Sequence, residues 1–264
     1  MLTPDQEESL YHTLLVLEGT SIASKKADDR LRRLLEQHGT LKKAHNQQLS
    51  LFEPDIGWLV KKLEKAPDFK TITINSPEYP DWLKELKAAP VFYAQGDLEL
   101  LKTKTIAVIG TRHPTQEALE EGRKICQRLL DKNYTIVSGL AKGCDTLGHQ
   151  SAIEHGRTIA VLGTPLDAHY PSENYDLQDR IAREHLLITP FPIGITTYQS
   201  HFAYRNRLTV SLSKEGIVVV QADDESGTRH AIRHAHKQNK KIYALPNNFG
   251  KEYKWVEKYK PART

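Results

Sequence analysis

The sequence has little of what would mark a secreted or membrane-spanning protein. It holds only two cysteines among 264 residues, too few for a framework of disulfides. No run approaches the roughly 18 apolar residues that a membrane-spanning helix needs. The polar, acidic start Met-Leu-Thr-Pro-Asp-Gln-Glu-Glu is unlike a secretory signal. We therefore expect a soluble cytoplasmic protein with reduced thiols. Cys126 falls on the apolar side of a predicted helix and is expected in the core, whereas Cys144 lies in a Gly-rich turn that leaves room for an accessible thiol.

Several ligand-binding motifs are also missing. The sequence has neither the G-x-G-x-x-G fingerprint of dinucleotide enzymes nor the G-x-x-x-x-G-K-[ST] loop of P-loop NTPases. The cysteines lack zinc-type spacing. His230 and His234 share a helix face, but no third ligand is indicated. We therefore predict no cofactor and no metal site.

Negative charge is scarce toward the end of the sequence. The formal net charge is only +4, yet residues 229–264 hold ten Lys or Arg against Glu252 and Glu257. A basic end is a weak indication of nucleic-acid binding. A solvated surface segment explains the same pattern equally well.

Apolar runs that end at a glycine or serine recur between Thr105 and Gly163. Because segments of helical length separate them, they predict parallel strands covered by helices on both faces. We predict strands near 105–109, 134–138, 157–162, 186–189, 216–221 and 241–245, and helices near 115–131, 145–155, 174–184, 205–213 and 227–238. The predicted fold class is α/β, a Rossmann-like doubly wound parallel sheet.

The first hundred residues predict an accessory region of helices. Helical spacing covers 5–18, 26–38 and 54–66, with a loop at 47–50, and short strands are predicted at 71–74 and 91–94. We expect three parts, which are a small N-terminal helical domain (1–68), the sheet domain (69–246) and a basic C-terminal tail (247–264).

Small polar residues gather where the predicted strands end, the edge at which ligands bind in such folds. Gly110-Thr111-Arg112 combines close backbone approach, amides near a helix start and a guanidinium suited to phosphate. In 138–145 two glycines bracket a turn whose successive amides form an anion nest. Asp145 is expected to be the N-cap of the next helix. We expect His149 to be a packed, hydrogen-bonded side chain rather than a catalytic acid or base.

Two further stretches favour contacts with nucleic acid. In 202–207 two guanidiniums flank an amide beside aromatic rings, a combination that suits phosphates, base edges and base stacking. Ser226-Gly227-Thr228 follows another apolar strand and has the small residues of a helix N-terminus that holds phosphate.

From about Pro77 to Pro246, two-thirds of its length, the chain resembles the DNA-processing protein A family, also called DprA or Smf. The similar stretches stand in the family's order and spacing and include Tyr79-Pro80-Asp81-Trp82-Leu83, Val108-Ile109-Gly110-Thr111-Arg112, Ser138-Gly139-Leu140-Ala141-Lys142-Gly143-Cys144-Asp145, Tyr170-Pro171-Ser172-Glu173-Asn174, Arg205-Asn206-Arg207-Leu208 and Ser226-Gly227-Thr228. The resemblance implies an extended Rossmann domain that binds single-stranded DNA, forms a homodimer and hands the strand to a RecA-type recombinase. It implies no enzymatic activity.

The resemblance also implies the binding residues. Basic residues of three loops would contact phosphates, the glycines beside them would form a backbone cradle, and Tyr204 would stack on a base. The full predicted DNA- and phosphate-binding set is Gly110, Thr111, Arg112, Ser138, Gly139, Lys142, Gly143, Tyr204, Arg205, Asn206, Arg207, Ser226, Gly227 and Thr228. Many members carry a C-terminal winged helix, whereas only 18 residues follow Pro246 here. We therefore expect this domain to be absent.

Two alternatives stay open at this point. The first is a nucleotide-sensing regulator in a defence or stress module, because Glu225 stands where the family usually has a basic residue and the helix after it is polar. The second is a nucleotide phosphoribohydrolase, which needs a Gly-Gly-rich turn followed by a catalytic glutamate. Glu225 precedes its turn instead of following it, which makes this the weaker alternative.

Overall fold

The computed structural model describes residues 1–18, 22–47 and 55–264. The chain divides into two compact units. The first unit consists of Met1–Gln95, Leu162–Ala168 and Ile188–Tyr204, and the second of Gly96–Val161, His169–Leu187 and Arg205–Thr264. No helix within these described ranges has both the length and the apolar character needed to cross a membrane.

Helices and a short antiparallel ribbon form the described part of the first unit. The elements are α1 (Pro4–Leu17), α2 (Lys25–His38), α3 (Leu41–Asn46), α4 (Gly57–Glu64), β1 (Lys70–Thr73), α5 (Asp81–Glu85) and β2 (Val91–Gly96). The hydroxyls of Thr3, Ser24 and Thr40 accept hydrogen bonds from amides three residues ahead and so begin the first three helices. Strands β1 and β2 are antiparallel, with Lys70 opposite Ala94.

The second unit is built on a parallel sheet. Its strands lie side by side in the order β5, β4, β3, β7, β8, β9. The elements are β3 (Thr105–Ile109), α6 (Gln116–Asp131), β4 (Thr135–Ser138), α7 (Cys144–His155), β5 (Arg157–Val161), α8 (Tyr175–Glu184), β7 (Ile217–Val219), α10 (Thr228–Lys237), β8 (Ile242–Ala244), α11 (Lys254–Tyr259) and β9 (Ala262–Arg263). Strand β6 (Leu186–Thr189) and helix α9 (Gln199–Leu212) each begin in one unit and end in the other.

Helices cover both faces of this sheet. Alternate side chains of β3 point to opposite faces. Val108 packs in one apolar cluster with Cys126 of α6 and Leu147 of α7, while Ile109 packs in another with Ile232 of α10. Each such buried aliphatic side chain contributes roughly 1.5–3 kcal/mol to folding. The predicted Rossmann-like, doubly wound fold is confirmed.

Most predicted elements between 105 and 246 are confirmed, with ends that agree within two residues. Helix α9 is an exception, since it begins at Gln199 instead of near 205. Helix α3 was not predicted, and the predicted loop at 47–50 lies largely in 48–54, outside the described residues. The two compact units also do not follow the predicted ranges 1–68 and 69–246.

The predicted tail, 247–264, carries regular structure. It contains α11 and β9, and β9 pairs in parallel with β8. Trp255 of α11 is buried, and its indole nitrogen donates to the carbonyl of Ala222 at 3.1 Å. The carboxylate of Asp224 accepts hydrogen bonds from the amides of Lys254 and Trp255 and so anchors the helix start. This segment is therefore part of the folded second unit.

Both cysteines are fully buried in the same apolar cluster. The core position of Cys126 is confirmed, and Cys144, whose accessibility the sequence left open, is buried as well. Cys144 follows the glycine turn but points inward at the start of α7. Burial raises the pKa of its thiol to about 12, so the thiol stays protonated and unreactive.

Candidate functional site

The site lies in the second unit, at the point where the strand order of the sheet reverses. From β3 the chain moves to β4 and β5 on one side and later returns to β7 and β8 on the other. In open α/β sheets such a switch point leaves a crevice at the carboxyl ends of the strands, where ligands bind. Here the segments at that edge are 110–115 after β3, which we call the first loop, and 139–143 after β4, which we call the second loop.

The first loop is held at both ends by Gln221. The amide of Thr111 donates to the Gln221 carbonyl at 2.7 Å, and the amide of Thr115 donates to the Gln221 side-chain oxygen at 2.8 Å. Between these points Arg112 is exposed. No carboxylate of the described residues lies within ion-pair distance of its guanidinium. A fixed backbone therefore presents an exposed cation at the carboxyl edge of the sheet.

Gly143 brings the second loop into contact with the first. Its φ of +77° lies in the left-handed region that favours glycine. A Cβ at this position would lie 2.6 Å from the carbonyl oxygen of Thr111 and 2.8 Å from that of Arg112. The amide of Cys144 also donates to the carbonyl of Thr111 at 3.2 Å. Only glycine allows this approach without displacing the backbone that carries Arg112.

Lys142 is the exposed cation of the second loop. Its ammonium group forms an ion pair with the carboxylate of Glu173, and both side chains are about half exposed, 48% and 57%. The pair lowers the pKa of Glu173, chiefly through the hydrogen bond from Lys142. Because water screens exposed ion pairs, a phosphate can compete with Glu173 for this lysine.

Arg205 is buried, with a relative exposure of 4%. Its guanidinium donates to the carbonyl of Gly139 and, at 2.7 Å, to that of Val161, which joins the ends of β4 and β5. A Cβ on Gly139 would collide with this guanidinium. Burial lowers the pKa of Arg205 to about 10, and the charge of Asp145 works in the opposite direction. These hydrogen bonds go to backbone carbonyls. They therefore differ from the phosphate contact that the sequence predicted for Arg205.

Asp145 is buried at the second position of α7, whose N-cap is Gly143, so the expected N-cap role is wrong. Its carboxylate accepts from the amide of Ala141 at 3.3 Å. Burial raises its pKa, and the charge of Arg205 partly offsets that rise. His149 is packed and hydrogen-bonded as predicted, with Nδ1 2.7 Å from the Thr158 hydroxyl, and burial lowers its pKa to about 3.

Three further predicted binding residues, Ser138, Asn206 and Arg207, interact with other residues of the second unit. Ser138 is buried and donates its hydroxyl to the Val108 carbonyl at 2.6 Å. Asn206 accepts from Arg205 Nε at 3.0 Å. Arg207 lies close enough to His234 of α10 to contribute to the lowering of its pKa, which burial causes in the first place. The charge of Arg112 also contributes a little to the lowered pKa of Arg205.

In the turn before α10, a carboxylate of the protein already binds the backbone amides. The carboxylate of Asp223 accepts hydrogen bonds from the amides of Glu225 and Ser226 at 2.9 and 2.6 Å. The Ser226 hydroxyl donates to Thr228, which is buried. A phosphate at Ser226, Gly227 and Thr228 would have to displace Asp223 from these amides. We therefore leave this turn out of the site that we propose.

Tyr204 belongs to the first unit. Its hydroxyl lies 2.5 Å from a carboxylate oxygen of Asp28 in α2, and its ring packs at a tilt against Phe191 at 5.9 Å. Tyr204 is thus partly buried and has partners within the first unit, and the base stacking that the sequence assigned to it stays a prediction.

Sequence reasoning missed two residues that position the loops. One is Gln221, described above. The other is Asn174, whose side-chain amide donates at 2.9 Å both to the carbonyl of Leu140 and to the hydroxyl of Thr146. Asn174 belongs to a stretch on which the resemblance rests, so a signal was present, but nothing local indicates its partners.

The fold and the site together define a class, a Rossmann-like domain with exposed cations on glycine loops at the carboxyl edge of a parallel sheet. Residues 70–255 match the family described as DNA recombination-mediator protein A, and the chain belongs to this family. The protein Smf of Synechocystis is 36% identical over 197 residues, which are 72% of this chain and 49% of that protein. The DNA processing protein DprA of Bacillus subtilis is 37% identical over 186 residues, 69% of this chain and 62% of that protein. The chain thus spans about half to three-fifths of the length of these relatives.

Solved structures agree in fold. DNA processing protein A of Streptococcus pneumoniae superposes with a TM-score of 0.78 at 26% identity and covers 100% of this chain and 95% of that chain. DNA processing protein A of Helicobacter pylori, whose structure concerns its single-stranded DNA binding mode, has a TM-score of 0.64 at 29% identity, with 74% and 90% of the two chains covered.

Proposed function

We propose that this protein binds single-stranded DNA and protects it or presents it to a RecA-type recombinase, without catalysing a reaction. The observation that carries the proposal is the contact between the two loops around Gly143, because each of these loops also bears an exposed cation, Arg112 in the first and Lys142 in the second. Membership in a family of recombination mediators supports it. So does the single-stranded DNA binding of the H. pylori protein, which this chain resembles over 74% of its length.

In this proposal the phosphodiester backbone binds across the two loops. Arg112 donates two hydrogen bonds to one phosphate. Lys142 releases the carboxylate of Glu173 and binds a second phosphate in its place. Gly110 and Gly143 allow the first loop to pack closely against its neighbours in the protein, Cys144 and Gln221 beside Gly110 and the second loop at Gly143. Arg205 fixes the ends of β4 and β5 through its hydrogen bonds to the carbonyls of Gly139 and Val161. Such contacts carry no sequence information, so affinity depends on strand length and salt more than on base order.

The test is the binding of fluorescently labelled oligo-dT, measured by anisotropy at several salt concentrations. Arg112→Ala should weaken binding roughly tenfold or more, because a hydrogen bond to a charged group is worth about 1.5–3 kcal/mol. It should also lower the slope of log affinity against log salt by about 1. The matched control is Arg128→Ala, which replaces another exposed arginine, in the last turn of α6 and at the opposite end of that helix from the first loop.

Two results would contradict the proposal. One is equal losses for Arg112→Ala and Arg128→Ala, which would mean that only net charge matters. The other is a thermal shift with a mononucleotide and no binding of oligonucleotides, which would favour the nucleotide sensor.

The proposal extends to a homodimer, which the family resemblance implies. Light scattering during the DNA titration measures the mass of the complex. If the measured mass is that of a monomer bound to DNA, the dimer is refuted, whereas the proposal of DNA binding stands.

A further inference from the structure

Two large aromatic side chains lie on the surface of the second unit, one before α8 and one at its first residue. Tyr170 is 47% exposed and Tyr175 is 50% exposed. Rings of this size are usually buried for most of their area, because they carry large apolar surfaces. Neither tyrosine is among the predicted DNA-binding residues, in which base stacking was assigned to Tyr204.

The ring of Tyr175 is held in a fixed orientation. It stacks on the imidazole of His169 with the ring centroids 4.0 Å apart and the planes 25° from parallel. His169 is in turn fixed by Asp179, whose carboxylate lies 2.8 Å from Nε2. One face of Tyr175 therefore covers the imidazole, and its exposed area comes from the other face and the ring edge. We call His169 and Tyr175 the aromatic platform.

The aromatic platform is tied to the second loop. Asn174, the neighbour of Tyr175, donates to the carbonyl of Leu140 at 2.9 Å. Glu173 forms the ion pair with Lys142. Tyr175 thus stands two residues from the direct partner of a loop cation, on a segment that is hydrogen-bonded to the same loop.

We propose that the aromatic platform stacks an unpaired base of the bound single strand while Lys142 contacts a neighbouring phosphate. This inference rests on the proposed function and specifies which surface receives a base. An exposed ring on a segment that pairs with a loop cation matches the two chemistries of a single strand, a flat π-face and an anionic backbone. A base inside a duplex is stacked on both faces by its neighbours, so the platform favours single strands over duplex.

The experiment compares Tyr175→Ala with the matched control Tyr175→Phe. Each is titrated with oligo-dT and with an abasic oligomer of equal length and phosphate number. Tyr175→Ala should weaken oligo-dT binding about 5- to 150-fold, the range of alanine substitutions at base-stacking aromatics. Binding of the abasic oligomer and the salt slope should stay unchanged, because no phosphate contact is lost. Tyr175→Phe should bind both ligands like the unaltered protein.

The outcomes separate this inference from the function on which it rests. If oligo-dT binding depends on Arg112 but Tyr175→Ala binds as well as Tyr175→Phe, the platform is refuted and DNA binding stands. Equal losses for oligo-dT and the abasic oligomer would mean that Tyr175 only shapes the loop, which also overturns the inference. No oligonucleotide binding by the unaltered protein refutes the proposed function itself.

Discussion

Replacing Arg205 by methionine removes a buried charge while keeping an aliphatic stem of similar length. The change leaves the carbonyls of Gly139 and Val161 without the donor they have in the structure. It also leaves the buried carboxyl of Asp145 without the positive charge that lowers its pKa. We expect Arg205→Met to destabilise the protein, whereas Arg112→Ala should not.

The expected magnitude follows from burial. Removing one partner of a buried charged pair costs about 3–5 kcal/mol, because the other charge stays desolvated. Total stabilities of single domains are about 5–15 kcal/mol, so this loss is a large part of the whole. Arg112 is exposed, and substitutions at such positions usually change stability by less than about 0.5 kcal/mol.

The assay is urea unfolding followed by circular dichroism, with a double-mutant cycle that adds Asp145→Asn. Once both charges are absent, neither is left uncompensated. The double variant should therefore lose less stability than the sum of the two single losses, by about 1–3 kcal/mol. The four proteins are compared at constant pH and salt.

A loss below about 1 kcal/mol for Arg205→Met, or additive losses in the cycle, would refute the reasoning. If at the same time oligo-dT binding disappeared, Arg205 would be a direct phosphate ligand, as the sequence predicted.

Two further predictions concern exposed and buried charge. Glu173→Gln should tighten oligo-dT binding roughly two- to fivefold at low salt, because Lys142 loses its competing carboxylate; unchanged or weaker binding in the anisotropy titration would contradict this. His149 has a pKa of about 3 in the fold, below the value near 6.5 of an unfolded chain. The unfolded state therefore takes up the proton first, and stability falls as the pH drops below about 6.5. This histidine alone should make the protein about 2 kcal/mol less stable at pH 5 than at pH 8. In the His149→Gln variant, the loss of unfolding free energy between pH 8 and pH 5, measured by urea unfolding, should be smaller by that amount. An unchanged pH profile would exclude His149 as a source of the pH dependence.

Strands β3, β4 and β5 were predictable because their signal is local. Continuous apolar residues followed by glycine or serine identify a buried parallel strand without knowledge of the rest of the chain. The loops after these strands could be placed at one edge of the sheet for the same reason, since carboxyl ends of parallel strands face the same side. Arg112 and Lys142 are both exposed in these loops, and their contact with phosphate stays a prediction.

The burial of Arg205 could not be predicted in this way. The sequence placed it at the start of a helix, where cations are usually exposed, but α9 begins at Gln199 and continues past it. Its carbonyl partners come from two strands that are distant in sequence, and no local pattern encodes such contacts. Gln221 is similar, because its bonds join the end of β7 to the loop after β3.

The turn at Ser226 shows a different kind of failure, in which the local signal was present but incomplete. Small residues before a helix predict an anion site. An aspartate shortly before them predicts the competing arrangement, in which its own carboxylate accepts the turn amides. Asp223 does so here. The charge of the neighbouring residues therefore decides whether such a turn is open to a phosphate.

The residues of the site fall into two groups, those with contacts inside the protein and those that are exposed, and different measurements reveal the two groups. Gly143, Gln221 and Arg205 shape the loops through contacts inside the protein, so their replacement should lower stability and DNA affinity together. Arg112 and Lys142 are exposed, so their replacement should lower affinity at constant stability. A plot of affinity loss against stability loss for these variants should thus separate into two groups. A single line through all of them would mean that the loops act only as scaffold and that the strand binds elsewhere.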